Sequence, residues 1–316
     1  QMSIGNHFWH MAQLSHYGKA EGLGAYSLSA FYNGQNGFQR NQATGKRADN
    51  GNEAGARLKL IRQQTARTLI SLTADYQWVR QNGFAYGDYD VATGRAQDPS
   101  TNLPNNYRRH LLSVGLNVNY KGRNADINST TSYQYLKDHM YMDQDYLEAD
   151  YMRMMQDQLH NAMTQEFSLK SRKPVGGVWH WAAGAFFSAQ WLKTNGPVFF
   201  ESAMTTPIGN AIQQQMYGAM LQAMAQRMMR PGMTHEQALA LAAQMIERAG
   251  GVSMNVEMGA PGTYHTPQYN IGFYHESNID ITPRLVLTLG ARYDYMLTKI
   301  HYESMAYMKM NANVMG

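Results

Sequence analysis

The 316 residues contain no cysteine. That excludes disulfide staples, thiolate zinc sites and a cysteine nucleophile, and it leaves the redox compartment open. No run of about 18 apolar residues occurs, so membrane-spanning helices are excluded too. A mean hydropathy of -0.50 agrees. Charge of one sign is also scarce. The net charge is +4, and the Lys and Arg are scattered, with no basic run carrying interleaved aromatics, so nucleic acid is not an expected partner. The sequence has no Gly-x-Ser-x-Gly elbow, no His-Glu-x-x-His and no Walker motif, so no catalytic, cofactor-binding or metal residue is assigned and no enzyme is expected. Residues 1–5 lack a basic start followed by an apolar run, so they are not a signal peptide.

What is present is alternation. Between Arg109 and Tyr135, His110, Leu112, Val114, Leu116, Val118 and Tyr120 point one way, while Leu111, Ser113, Gly115, Asn117 and Asn119 point the other. After Lys121-Gly122-Arg123-Asn124 the pattern resumes with Ala125, Ile127, Ser129, Thr131, Tyr133 and Tyr135 against Asp126, Asn128, Thr130, Ser132 and Gln134. Successive strand residues face opposite sides of a sheet, so each strand has one apolar and one polar face. Such strands are longer than the usual five or six residues. Length and polar inner face together predict an all-β chain: an antiparallel transmembrane β-barrel, whose strands need roughly 9–11 residues to cross the hydrocarbon. The 21 tyrosines suit aromatic belts at the two membrane surfaces. A tyrosine-rich soluble β-sandwich is the competing reading.

About ten strands are expected, near 3–17, 25–38, 53–62, 67–80, 107–121, 124–138, 162–171, 177–192, 267–281 and 285–301. Their connections alternate in kind. Short turns at 19–24, 63–66, 122–123, 172–176 and 282–284 alternate with long loops at 34–52, 81–106, 139–161 and 193–266. Outer-membrane barrels have short periplasmic turns and long extracellular loops, whereas long structureless loops are uncommon in compact soluble domains. Charges on a lipid face would cost about 2–4 kcal/mol each at mid-membrane. Arg57, Lys59, Asp75, Arg292 and Asp294 all fall on the inner face. They are the candidates for contact with a permeating ligand, the competing partners being a plug or one another. The first strand is ambiguous, because Phe8, Trp9, His10 and Met11 do not alternate.

The whole chain, 1–316, therefore reads as a partial barrel domain, with 193–266 an extracellular loop insert carrying two helices, about 206–230 and 234–249. Thr206 is the expected N-cap of the first, with Pro207 at N1 and Pro231-Gly232 after its end. Ile208, Ala211, Ile212, Met216, Ala219, Met220 and Ala223 share one face. Thr234-His235-Glu236-Gln237 forms a capping box for the second, whose apolar face is Ala238, Leu241, Ala242, Met245, Ile246 and Ala249. The two are expected to pair as an antiparallel hairpin. Met216, Met220, Met224 and Met228 recur every four residues; core packing is the expected role, a copper(I) thioether site the alternative. His139 and His160 bracket an acidic, Met-rich stretch with Asp138, Asp143, Asp145, Glu148, Asp150 and Asp157. It matches no EF-hand spacing, so a solvated surface loop is expected in preference to a calcium or iron contact.

Several segments resemble TonB-dependent outer-membrane receptors. Ala30-Phe31-Tyr32 through Gly37-Phe38 to Thr44-Gly45-Lys46, and Gly55-Ala56-Arg57-Leu58-Lys59-Leu60, are similar to their hairpins. So are Thr164-Gln165-Glu166-Phe167-Ser168-Leu169 and Trp181-Ala182-Ala183-Gly184-Ala185-Phe186-Phe187. The most telling match runs from Thr282-Pro283-Arg284-Leu285 to Gly290-Ala291-Arg292-Tyr293-Asp294-Tyr295. The resemblance covers most of the chain outside 193–266. It implies a multi-pass protein of the bacterial outer membrane, a 22-stranded barrel closed by an N-terminal plug, importing a ferric siderophore or other iron complex. Outer-membrane lipid and an inner-membrane TonB energy-transducing complex would be its partners. About ten strands lie in this chain and no plug or TonB box does, so the expected placement is the N-terminal half or middle of such a receptor. Cobalamin, haem, copper, a peptide or a glycan are alternative cargoes, and a passive porin-like channel is an alternative function.

Overall fold

Side chains that alternate in polarity favour strands, and strands that alternate short and long connections favour pairing with the next in line. In the computed structural model, which describes residues 1–316, that is the arrangement. In chain order the strands are β1 (Met2–Gly5), β2 (Trp9–Ala20), β3 (Gly24–Gln35), β4 (Gly51–Thr65), β5 (Thr68–Gln81), β6 (Tyr89–Asp90), β7 (Arg95–Ala96), β8 (Asn106–Lys121) and β9 (Ala125–Asp143). There follow β10 (Met152–Ser171), β11 (Trp179–Asn195), β12 (Val198–Phe200), helices α1 (Ser202–Met228) and α2 (His235–Arg248), and β13 (Val252–Ala260). The chain ends with β14 (Thr263–Thr282), β15 (Leu285–Thr298), β16 (His301–Glu303) and β17 (Tyr307–Val314).

One antiparallel sheet runs β1-β2-β3-β4-β5-β8-β9-β10-β11-β14-β15, while β6 and β7 form a separate hairpin. The short connections, residues 21–23, 66–67, 122–124, 172–178 and 283–284, lie at one end. The long ones, 36–50, 82–105, 144–151 and 196–262, lie at the other. The outermost long strands, β2 and β15, do not pair, so the sheet is an open wall and not a closed barrel. Both rims present unpaired backbone groups, and β15 is exposed along its whole length.

Register makes each face continuous. On the apolar side, Leu58, Ala74, Val114, Tyr133, Met163, Ala189, Tyr269 and Leu297 are successive cross-strand neighbours. On the polar side, Lys59, Thr73, Gly115, Ser132, Thr164, Ser188 and Asn270 are. No second sheet covers the apolar side: Leu14 is 76% exposed, Leu116 40%, and Phe167 and Phe273 51% each. Only 22 of 316 residues are buried. Each such side chain left in water forfeits about 1.5–3 kcal/mol of burial, so the sandwich reading fails and the face needs lipid.

The apolar band has edges. Above, the row Leu112–Tyr135–Asn161–Trp191 gives way to His110–Lys137 and then Arg108–His139–Asp157. Below, it ends near Tyr120–Ile127–Leu169. Tyr135 to Ile127 is roughly 26 Å of strand, and all ten of the longer strands have at least twelve residues, enough to cross.

Several expected boundaries move. The strand expected at 3–17 is broken. A tight turn at Asn6–Phe8, with His7 at φ 55 and Phe8 at φ 53, folds β1 back on Trp9–Ala12. The non-alternating Phe8-Trp9-His10-Met11 is that reversal. The loop expected at 139–161 shrinks to 144–151, because β9 and β10 stay paired from Lys137 and Leu159 up to Asp143 and Arg153. Helix α1 begins before Thr206, which is not its N-cap. Glu201 N–H donates to Tyr151 O (2.8 Å) and Ala203 N–H to Asp150 O (2.9 Å), and the Glu201 carboxylate pairs with Arg153. These ties to the 144–151 connection start the helix early and leave Pro207 inside it, where its missing N–H deprives only the Ala203 carbonyl. The packed stripe also shifts: Thr205, Gly209 and Ala225 are buried, whereas Ala211, Ala219 and Ala223 are exposed. Gly209 brings α1 close to β13, since a Cβ there would sit 3.2 Å from Met254 O.

Helices α1 and α2 meet through Ala225, Ala238 and Ala242, all fully buried, with Met224 and Met228 packed against them. Alanines allow that approach, and the two methionines fill the irregular gap beside them. The capping box is present: Thr234 Oγ1 accepts from Gln237 N–H (3.2 Å) and Gln237 Oε1 from Thr234 N–H (3.0 Å). Thr234→Ala is expected to lower the opening free energy of α2 by about 1 kcal/mol, read as faster amide exchange at Gln237 with the sheet unchanged.

Candidate functional site

The polar face carries all five candidate residues, and it is organised by cross-strand pairs. Arg57 and Asp75 stand opposite each other on β4 and β5 and form an ion pair of 2.8 Å. Arg292 Nε and Nη2 donate to Asp294 Oδ2 and Oδ1 at 2.7 and 2.9 Å within β15. Lys59 is exposed and makes no ion pair. All five candidates share the polar face. They are not brought together: six strand spacings, roughly 29 Å along the sheet, separate β5 from β15. Exposed pairs of this kind contribute little, so Arg57→Ala is expected to change stability by less than about 1 kcal/mol in a denaturant titration.

Two clusters on this face escaped the sequence. In the lower one, Tyr274 on β14 reaches across β11 to donate to Glu166 Oε1 on β10 (3.0 Å). Tyr274 is also the cross-strand neighbour of Arg292. The crossing is possible because Gly184 lies between: a Cβ there would collide with the Tyr274 ring. Glycine inside a strand marks such close approaches, and Gly184 was the available signal. In the upper cluster, Arg109 Nη2 donates to Gln77 Oε1 (2.6 Å) and Tyr107 to Asp138 Oδ2 (2.9 Å). Arg109 retains a buried Nε–H without an acceptor. Between the clusters, Asn117, Asn128 and Thr130 bond one another, as do Ser132 and Thr164.

At the long-loop end the connections are tied into a cap. Asp49 accepts from Phe38 N–H and Gln39 N–H (2.8 and 2.9 Å). Asn41 Nδ2 donates to Thr101 O and Oγ1 (2.9 and 2.7 Å). The Asp49 bonds close 36–50 on itself, and the Asn41–Thr101 bonds join it to 82–105 around a cavity of about 140 Å³ lined by Asn41, Lys46, Arg47, Asn82, Thr101 and Asn105 among others. Ligand pockets usually occupy roughly 300–1,000 Å³, so this space is a joint between loops.

In the acidic stretch Glu148 and Asp157 are exposed as expected of a solvated loop, but Asp143 is not. Asp143 is fully buried, about 26 Å of strand above Tyr135 and so outside the membrane. Asp143 Oδ2 accepts from Leu103 N–H (3.3 Å), and its own N–H donates to Asn105 Oδ1 (2.6 Å). Burial raises its carboxyl to about 6, against the lowering hydrogen bond from Leu103, and the Asp145 carboxyl within hydrogen-bonding reach raises it further. Asp145 accepts from Leu147, Tyr151 and Met152 N–H groups (2.9, 3.1 and 2.7 Å). Tyr146, raised by burial, stacks edge-on against Tyr86 at 5.2 Å. His139 is held by Asp157 at 2.8 Å, while His160 turns to Gln190.

No family model matches the sequence, and the search of curated proteins found no relative. Solved structures do resemble it. FpvA of Pseudomonas aeruginosa bound to heterologous pyoverdines gives a TM-score of 0.59 at 11% identity, covering 98% of this chain and 38% of that one. The ferripyoverdine receptor of the P. aeruginosa outer membrane, bound to ferripyoverdine, gives 0.55 at 11% identity with the same coverage. FpvAI in complex with pyocin S2 gives 0.54 at 12%, covering 97% and 38%. The likeness is one of fold: this chain spans about two fifths of those proteins, and over that span its sheet is built as theirs is.

Proposed function

We propose that this chain is part of the barrel wall of a TonB-dependent receptor of the bacterial outer membrane, one that binds and imports a ferric siderophore or another iron complex. The observation that carries the reading is the fold likeness to the ferripyoverdine receptors, joined to a sheet with one lipid-ready face and one polar face. The rim of β15, and that of β2 beyond Ala12, are left unpaired in this chain, which suits a wall segment of a larger closed sheet, because lipid tolerates no open sheet edge.

The cargo would be held by the cap and the upper polar face. There the half-buried Arg109 and, on the 36–50 connection, Lys46 and Arg47 supply cations for an oxygen-rich anionic complex. Uptake against a gradient would be driven by the TonB complex acting through a plug. Deleting the gene in its host is expected to abolish growth on one ferric siderophore as sole iron source. Arg109→Ala is expected to weaken binding of that complex roughly tenfold, the worth of one charge-assisted hydrogen bond. Unimpaired growth on every iron complex would overturn the iron reading and leave cobalamin, haem, copper, a peptide or a glycan. Open single-channel conductance would favour a passive pore.

A further inference from the structure

We propose that Arg80, Arg108, Lys137 and Lys193 form a docking surface for a phosphorylated lipid headgroup in the membrane leaflet at the long-loop end. Register places all four on the apolar side of the sheet, just above its upper edge. Tyr135 and Trp191 belong to the last apolar row, with Asn161 between them. Lys137 and Lys193 come two residues later on the same strands, roughly 7 Å higher, with Leu159 the cross-strand neighbour of both. One step higher again, Arg80 on β5 stands opposite Arg108 on β8. The four lie within four strand spacings, from β5 to β11, roughly 19 Å across.

All four are exposed, and none makes an ion pair. Asp157, the acid closest to them in register, is held by His139 at 2.8 Å. Like charges directly opposite on neighbouring strands repel, so Arg80 and Arg108 gain from an anion set between them. What lies below argues for a lipid over a free anion. The apolar face starts at Leu112, Tyr135 and Trp191 and is covered by no second sheet. One molecule with an anionic head and acyl tails satisfies both surfaces at once. Tryptophan and tyrosine favour that boundary, and four or more Lys and Arg beside a membrane-crossing segment mark anionic-lipid sites. Arginine and lysine both bind phosphate through charge-assisted hydrogen bonds. Four uncompensated cations exceed what one singly charged head can neutralise, so the lipid carries at least two phosphates. The inference rests on the membrane reading of the apolar face and not on the cargo.

The test is a lipid titration of the whole protein in non-ionic detergent, with bound lipids counted by native mass spectrometry. Cardiolipin, with two phosphates, is expected to bind more tightly than phosphatidylglycerol, with one, and phosphatidylcholine most weakly. Each basic residue near such a surface is worth about fivefold, so Lys137→Gln with Lys193→Gln is expected to weaken the first cardiolipin at least fivefold. Rising salt is expected to weaken it in the unaltered protein, a readout that needs no variant to fold. Cardiolipin binding no tighter than phosphatidylcholine, or unchanged in the double variant, overturns the proposal. Displacement by millimolar inorganic phosphate overturns it too and leaves a simple anion site. Quenching of tryptophan fluorescence by chain-brominated phosphatidylcholine in vesicles reports the lipid face separately. Quenching without headgroup selectivity therefore sinks this inference and leaves the barrel wall standing, whereas absent quenching sinks the barrel wall itself.

Discussion

Val114→Arg is expected to destabilise the folded, membrane-inserted chain by about 2–4 kcal/mol, while Ser113→Arg, one residue away, stays within about 0.5 kcal/mol. The two positions are adjacent on β8 and face opposite sides. Val114 has Ala74 and Tyr133 as cross-strand neighbours, near the middle of the apolar band. An arginine there must strip its guanidinium of water or drag water into hydrocarbon. Ser113 stands between Asp75 and Gln134 on the polar face, where a guanidinium stays hydrated and has a carboxylate in reach. Equilibrium urea titrations in lipid vesicles measure both. A soluble sandwich would bury Val114 and would also suffer, so the diagnostic is the medium. Val114→Arg should cost much less in a short-chain detergent, whose apolar layer is thin and deformable, than in a bilayer. Equal penalties at 113 and 114 would refute the assignment of the faces.

The pattern behind that contrast was readable from the sequence because a period of two has only two phases. Once Leu112, Val114 and Leu116 share a side, pairing transmits the phase to every neighbour, and the polar row through Lys59, Thr73 and Ser132 follows. What could not be read is what register does not transmit. The fold-back of β1 depends on positive φ at His7 and Phe8, neither a glycine, so no local residue preference announces it. The start of α1 depends on backbone bonds to Asp150 and Tyr151, some fifty residues away. The upward growth of β9 and β10 pairs Tyr141 with Met155 and Met142 with Met154. Methionine is no strand signal, so the segment looked like loop. Among candidate site residues, Arg57 and Asp75 were legible as a pair because opposite charges sat at matching phase on adjacent strands. Glu166 and Tyr274 were not, since their contact spans an intervening strand.

Asp143 offers the second large effect. Burial raises its carboxyl to about 6, the nearby Asp145 carboxyl adds to the rise, and the Leu103 and Tyr146 N–H groups work against it. The folded chain therefore holds this proton more tightly than the unfolded chain does. Its stabilising share is complete below the unfolded value of 3.8 and is lost as pH rises through about 6. The loss amounts to about 3 kcal/mol, at 1.36 kcal/mol for each unit between those values. This group should therefore lower stability by about that amount between pH 4 and pH 7. Asp143→Asn keeps an acceptor for Leu103 and removes the ionisation, so that share of the fall should be missing when urea titrations of the two chains are compared across the range. At neutral pH the variant is then the more stable protein. An equal fall in both chains would show that Asp143 is not the group responsible.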